Sequence, residues 1–310
     1  MNLLDRLRRP APHKPSQKSL DLFDDEFQRK LEMLAIVSRR VFTGRMRAER
    51  RSKKKGSGVE FADHRDYVPG DDFRYVDWNV YQRFGRLLVR LYEEEEDLSI
   101  YFLIDASASM AFGDGRKFDQ ARRLCAALAY VGLANLDRVT IAAVSDQVVS
   151  RMPTTRGKGR IFKAFQFLSE LKPGGHTNLG EALNTFVAQH KRRGLAVLIS
   201  DLYDPQGFEH GINELRFNKF EPYVLNVFDP RDAQPQLKGD LRLYDCESGE
   251  EREVTVTDAL LRKMEQALLE YRQGIEHFCT SRQVPYFSAQ VDTPFEEVVL
   301  DLFRRGGFLR

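Results

Sequence analysis

Long apolar runs are missing from this 310-residue sequence, and no window suits a membrane-spanning helix. The opening residues, MNLLDRLRRP, lack the apolar core of a secretory signal. Cysteine is scarce. Cys125, Cys246 and Cys279 are widely spaced and odd in number, so they form neither a metal-ligand motif nor an even disulfide framework. A soluble, cytoplasmic protein with reduced thiols is expected. An excess of one charge is lacking too: 48 Lys and Arg face 46 Asp and Glu, for a net +2. Bulk charge therefore points to neither nucleic acid nor a membrane surface. There is no internal repeat and no low-complexity tract. The loop Thr154–Arg160 holds glycines and basic residues but lacks the Gly-Lys-Ser/Thr of a phosphate-binding loop.

What is present centres on Ser99–Met110, which reads SIYFLIDASASM. Its first half is an apolar, β-favouring run, as a strand buried on both faces should be. It stops abruptly at Asp105, followed by Ser107 and Ser109. In an open α/β sheet, ligands bind beyond the carboxyl ends of central strands. One carboxylate and two hydroxyls placed there are hard oxygen donors suited to Mg²⁺. Leu195–Asp201 repeats the device, an apolar strand ending at a carboxylate. Between them, Pro173-Gly174-Gly175-His176-Thr177 precedes a helix. Taken alone, Thr177 reads as its N-cap.

Strand and helix patterns alternate from residue 98 to the end, which predicts a doubly wound, mostly parallel sheet. Residues 1–20 read as a loose tail. Leu20–Phe42 has helical spacing, and Arg39–Lys55 is a densely cationic run that reads as a solvated linker. Residues 21–97 thus hold a helix, a basic linker and a segment in which acids and arginines alternate with aromatics. Within it Pro69-Gly70 marks a turn. Arg–Asp pairs can brace such a loop by bidentate hydrogen bonds. Arg65, Asp71, Asp72, Arg74, Asp77 and Trp78 also stand as candidates for a recognition surface.

That segment, Glu60-Phe61, Arg65-x-Tyr67-x-x-Gly70-Asp71-Asp72-x-Arg74-x-x-Asp77-Trp78, followed by Asp105-x-Ser107-x-Ser109, resembles the bacterial domain-of-unknown-function fifty-eight family. The resemblance covers roughly residues 40–300. It implies a von Willebrand factor A-like domain over 98–310 carrying a metal-ion-dependent adhesion site. By position, Ser107, Ser109 and Thr177 would then ligate Mg²⁺, or Mn²⁺ or Ca²⁺ in its place. Asp105 and Asp201 would supply the charge, directly or through water. It also implies work beside a MoxR-type AAA+ ATPase. Neutral hydroxyl ligands would leave a cation electron-poor, so an acidic residue of that partner is expected to complete its shell, with no small-molecule substrate.

The expected function is a non-catalytic, metal-dependent adaptor in the assembly or maturation of other proteins. Two alternatives remain open. A metal-dependent phosphohydrolase or nuclease could use the same strand ends, with His176 as the best candidate base. Nucleic-acid binding through residues 39–55 ranks last; within Arg45–Lys55 no aromatics are interleaved, as a single-strand binder would want.

Overall fold

The computed structural model describes residues 21–49, 51–56, 60–95 and 98–305. The expected tail at 1–20 lies outside the described residues. The N-terminal part runs α1 (Asp25–Glu49), β1 (Arg51–Gly56), β2 (Glu60–Asp66), α2 (Trp78–Phe84) and β3 (Leu88–Glu95). The next stretch is β4 (Ser99–Asp105), α3 (Ala108–Ala111), α4 (Arg116–Ala134), β5 (Arg138–Val144), β6 (Val148–Thr155), α5 (Ile161–Glu170) and α6 (Leu179–Gln189). Then come β7 (Leu195–Ser200), α7 (Glu209–Phe217), β8 (Glu221–Phe228), the hairpin β9 (Gly239–Tyr244) and β10 (Glu251–Val256), α8 (Asp258–Ser281), β11 (Tyr286–Gln290) and α9 (Phe295–Arg305).

The six-stranded sheet has the order β11-β8-β7-β4-β5-β6. Its strands pair in parallel except β6, which returns antiparallel along β5. Every residue of β4 is buried, which explains its unbroken apolar run. Ile100, Phe102 and Ile104 face one half of the core, with Leu124 and Leu128 of α4 and Val299 of α9. Tyr101 and Leu103 face the other, with Leu183 and Phe186 of α6 and Ile212 of α7. Burying a side chain the size of Phe102 contributes about 2 kcal/mol.

The order places the site. From β4 the chain crosses to β5, then comes back to add β7 on the opposite side of β4. Such a reversal opens a crevice beyond the carboxyl ends of the two diverging strands. Asp105 ends β4, and Asp201 directly follows β7.

At the other end these two strands approach closely. A Cβ on Gly194 would lie 2.1 Å from the Ser99 carbonyl oxygen. Because that neighbour is backbone, Gly194→Ala is expected to destabilise by about 1–3 kcal/mol, read as a lower urea midpoint.

The second sheet is antiparallel, in the order β1-β3-β2. It corrects the expected linker. The cationic run instead continues α1 to Glu49 and then forms β1. Register sets Arg51 opposite Glu95 and Lys55 opposite Glu93. Pairing with β3 is a long-range term invisible when the basic run is read alone. The helix also extends beyond Phe42, passing through Gly44; one interior glycine costs only about 1 kcal/mol.

Candidate functional site

The site begins at the end of β4. Asp105 is fully buried. Its Oδ1 accepts a hydrogen bond from the Ser107 N–H (2.9 Å), and its Oδ2 accepts one from Ser200 Oγ. Ser107 is positioned as the N-cap of α3, yet its hydroxyl makes no capping bond. It lies instead 3.0 Å from Ser109 Oγ, and Ser109 Oγ donates to Asp201 Oδ1 at 3.3 Å. The two strand ends are therefore joined through a chain of hydroxyls. Beyond Asp201 the backbone turns at Leu202, a buried residue with φ of 62°. The left-handed region is costly for a leucine. The turn is held by the Leu202 N–H donating to Ser200 Oγ and by the Tyr271 hydroxyl donating to the Leu202 carbonyl.

Thr177 is delivered by backbone bonds. The Gly174 N–H donates to Ala106 O (2.7 Å), the Ala108 N–H to Gly175 O (3.2 Å), and the Asn178 N–H to Ser145 O (3.1 Å). These fasten the 173–178 loop against the β4–α3 and β5–β6 turns, with Gly175 at a positive φ of 85°. The structure corrects the N-cap reading of Thr177. Asn178 caps α6, accepting from the Glu181 N–H. The Thr177 hydroxyl is freed for another contact and donates to Glu247 Oε1 (2.5 Å), while its N–H donates to Glu247 Oε2 (2.8 Å). His176, beside it, is exposed.

Three further residues belong to the rim. Lys117 of α4 is almost wholly buried, with Nζ 2.8 Å from Asp201 Oδ2 and 3.1 Å from Asp232 Oδ2. The ammonium also sits 4.9 Å from the centre of the Tyr203 ring. Burial works to lower the Lys117 pKa, but the Asp201 and Asp232 carboxylates outweigh it and the net direction is upward. Asp232 itself is pushed up by burial, against the pull of Lys117. Sequence reasoning missed Lys117, Asp232 and Glu247. Only Lys117 left a local signal: a cation in the first turn of a helix opposes the helix dipole.

The donor set can be weighed for a cation. Burial, followed by the nearby Asp201 charge, pushes the Asp105 carboxyl up to about 7. The Lys117 ammonium meets two carboxylates, Asp201 and Asp232, and Asp105 and Glu247 add further acidic groups to the rim. Ser107, Ser109 and Thr177 add neutral oxygens, all of them buried. Among the described residues no group of three or more His, Cys, Asp or Glu is arranged to hold a metal. A cation here would depend on the hydroxyls, and an all-oxygen set of this kind fits Mg²⁺.

The N-terminal candidates form a separate cluster. Arg65 donates to both oxygens of Asp71 (2.6 and 2.6 Å), and Asp71 also accepts from the Val68 N–H. Arg65 holds the Asp71 carboxyl down at about 2. Arg74 grips Asp72. Asp77 caps α2 through the Asn79 and Val80 N–H groups and binds Arg90 Nε (2.9 Å) and His64 Nε2 (3.0 Å). These ion pairs brace the turn, while Trp78 remains 52% exposed.

Arg90 and then His64 hold the Asp77 carboxyl well below the usual range. A depressed carboxyl stabilises the fold above its ordinary pKa, and that contribution fades as pH falls toward the folded value. Wild-type protein is therefore expected to loosen here between about pH 4 and pH 2. Emission from the single tryptophan, Trp78, reports it. Asp77→Asn keeps a capping side chain and should flatten that acid slope.

Residues 63–273 match the family described as "Protein of unknown function DUF58". The Mycobacterium tuberculosis protein named Uncharacterized protein Rv1480 is 26% identical over 285 residues, covering 90% of this chain and 90% of its own. Uncharacterized protein MAV169 of Mycobacterium avium is 28% identical over 119 residues, covering 38% of this chain and 70% of its own. Among solved structures, the conserved hypothetical protein BatB from Bacteroides thetaiotaomicron superposes with a TM-score of 0.42 at 15% identity, covering 68% of this chain and 98% of that one. No helix among the described residues is long and apolar enough to cross a membrane.

Proposed function

We propose, from the premise that this chain belongs to the DUF58 family, that it is a non-catalytic adaptor. In this reading its α/β body is von Willebrand factor A-like, and a divalent cation at the strand ends grips an acidic group on a protein partner. One observation carries the reading: Asp105, Ser107, Ser109 and Asp201 are linked in one hydrogen-bonded chain at the β4/β7 reversal. Backbone bonds fasten the Thr177 loop against the same β4–α3 turn.

The chemistry follows from the donors. A cation held mainly by neutral hydroxyls stays electron-poor and attracts a further carboxylate. Ser107, Ser109 and Thr177 would hold it, while Asp105 and Asp201 balance its charge. By family resemblance the partner is a MoxR-type AAA+ ATPase, and the role is assembly or maturation of other proteins. The exposed face around Trp78 offers a second contact.

The test is co-purification with a MoxR-type ATPase in Mg²⁺ or in EDTA, for wild type and Asp105→Ala. Retention should be seen for wild type in Mg²⁺ and drop about tenfold or more in the other arms. Equal retention in all arms overturns the reading.

A further inference from the structure

The hairpin β9–β10 stands between β8 and α8 and joins neither larger sheet. Most of its residues are exposed, and a lone two-stranded ribbon is marginal in water. Its register is nonetheless unbroken, from Glu251 opposite Tyr244 to Val256 opposite Gly239. Its turn is tied as well. Asp245 Oδ1 accepts from the Glu247 N–H (2.7 Å) and the Ser248 N–H (2.9 Å). This turn sends one side chain into the strand-end rim. Glu247 straddles Thr177, with one carboxylate oxygen on its N–H and the other on its hydroxyl.

Thr177 is 4% exposed, so a carboxylate seated on it takes up the approach to its hydroxyl. Donating its proton to Glu247 leaves the lone pairs of Thr177 Oγ1 available. It also places a fixed negative charge one hydroxyl away from where a cation would lie. A carboxylate arriving from another protein would meet that charge and that bulk. We propose that Glu247 covers the approach to the acidic-ligand position, and that an incoming partner carboxylate must displace the hairpin to engage the site. The proposal deepens the adaptor reading and rests on its cation site. It makes the site self-covered at rest.

Two measurements on the full chain test it. Without metal, Glu247→Ala should speed amide hydrogen exchange at Thr177 about tenfold. Unchanged exchange overturns the clamp itself. With Mn²⁺ alone as probe, water-proton relaxation counts exchangeable waters on the bound ion. Glu247→Ala should raise it, and added acetate should reverse that rise at concentrations about tenfold below those that affect wild type. If wild type and variant bind Mn²⁺ with the same relaxation and the same acetate response, the proposal fails while the cation site stands. If wild type binds no Mn²⁺, the cation reading falls and takes the proposal with it.

Discussion

Lys117→Met is expected to destabilise the protein by about 3–5 kcal/mol, the usual penalty for removing one partner of a buried ion pair. The side chain is 2% exposed, and its ammonium contacts Asp201 Oδ2 and Asp232 Oδ2. The Asp201 side chain is itself fully buried. Methionine keeps most of the aliphatic stem and its packing, so the loss isolates the charge. Two carboxylates would then lie in a low-dielectric rim without their cation, with Asp105 close by. The urea midpoint should fall with an unchanged slope. Mg²⁺ should restore part of the loss and EDTA should abolish the rescue, because the variant rim is more negative. A loss below about 1 kcal/mol would show that the ammonium is not compensating those carboxylates.

The case of Lys117 shows what could be read in the chain and what could not. Asp105 and Asp201 were legible because β4 and β7 are buried on both faces. An apolar run that stops at a carboxylate is a local pattern. The mixed α/β sheet followed from the same alternation of strand and helix. The contacts that set the site's charge are long-range. Lys117 meets Asp201 across 84 residues, and Thr177 meets Glu247 across 70. No periodicity encodes those pairings. Short α2 was missed for a different reason: seven residues with no buried member make no apolar stripe. Its sequence marks are its two caps: Gly85, at a left-handed φ of 67°, and Asp77, which serves at once as helix cap and as ion-pair centre. Strand β1 was hidden by its charge, which reads as a solvated run until β3 is placed beside it.

Asp105→Asn is expected to reverse sign between two conditions. Asparagine is nearly isosteric. Its side-chain oxygen can still accept the Ser107 N–H, and its amide can face Ser200 Oγ, so the fold is kept. It removes a buried negative charge that lies near Asp201. In EDTA the variant should therefore match wild type or exceed it by about 1–2 kcal/mol, since a buried like-charge pair is relieved. With Mg²⁺ at a hundred times its dissociation constant, wild type should gain about 2.7 kcal/mol through linkage, and the variant should gain little. The order of the two melting temperatures would then invert on adding metal. A strand-end carboxylate serving only to cap α3 predicts no such inversion: losing the charge would shift stability equally with and without Mg²⁺. Thermal unfolding of both proteins in EDTA and in Mg²⁺ decides between a cation site and a turn held by hydrogen bonds alone.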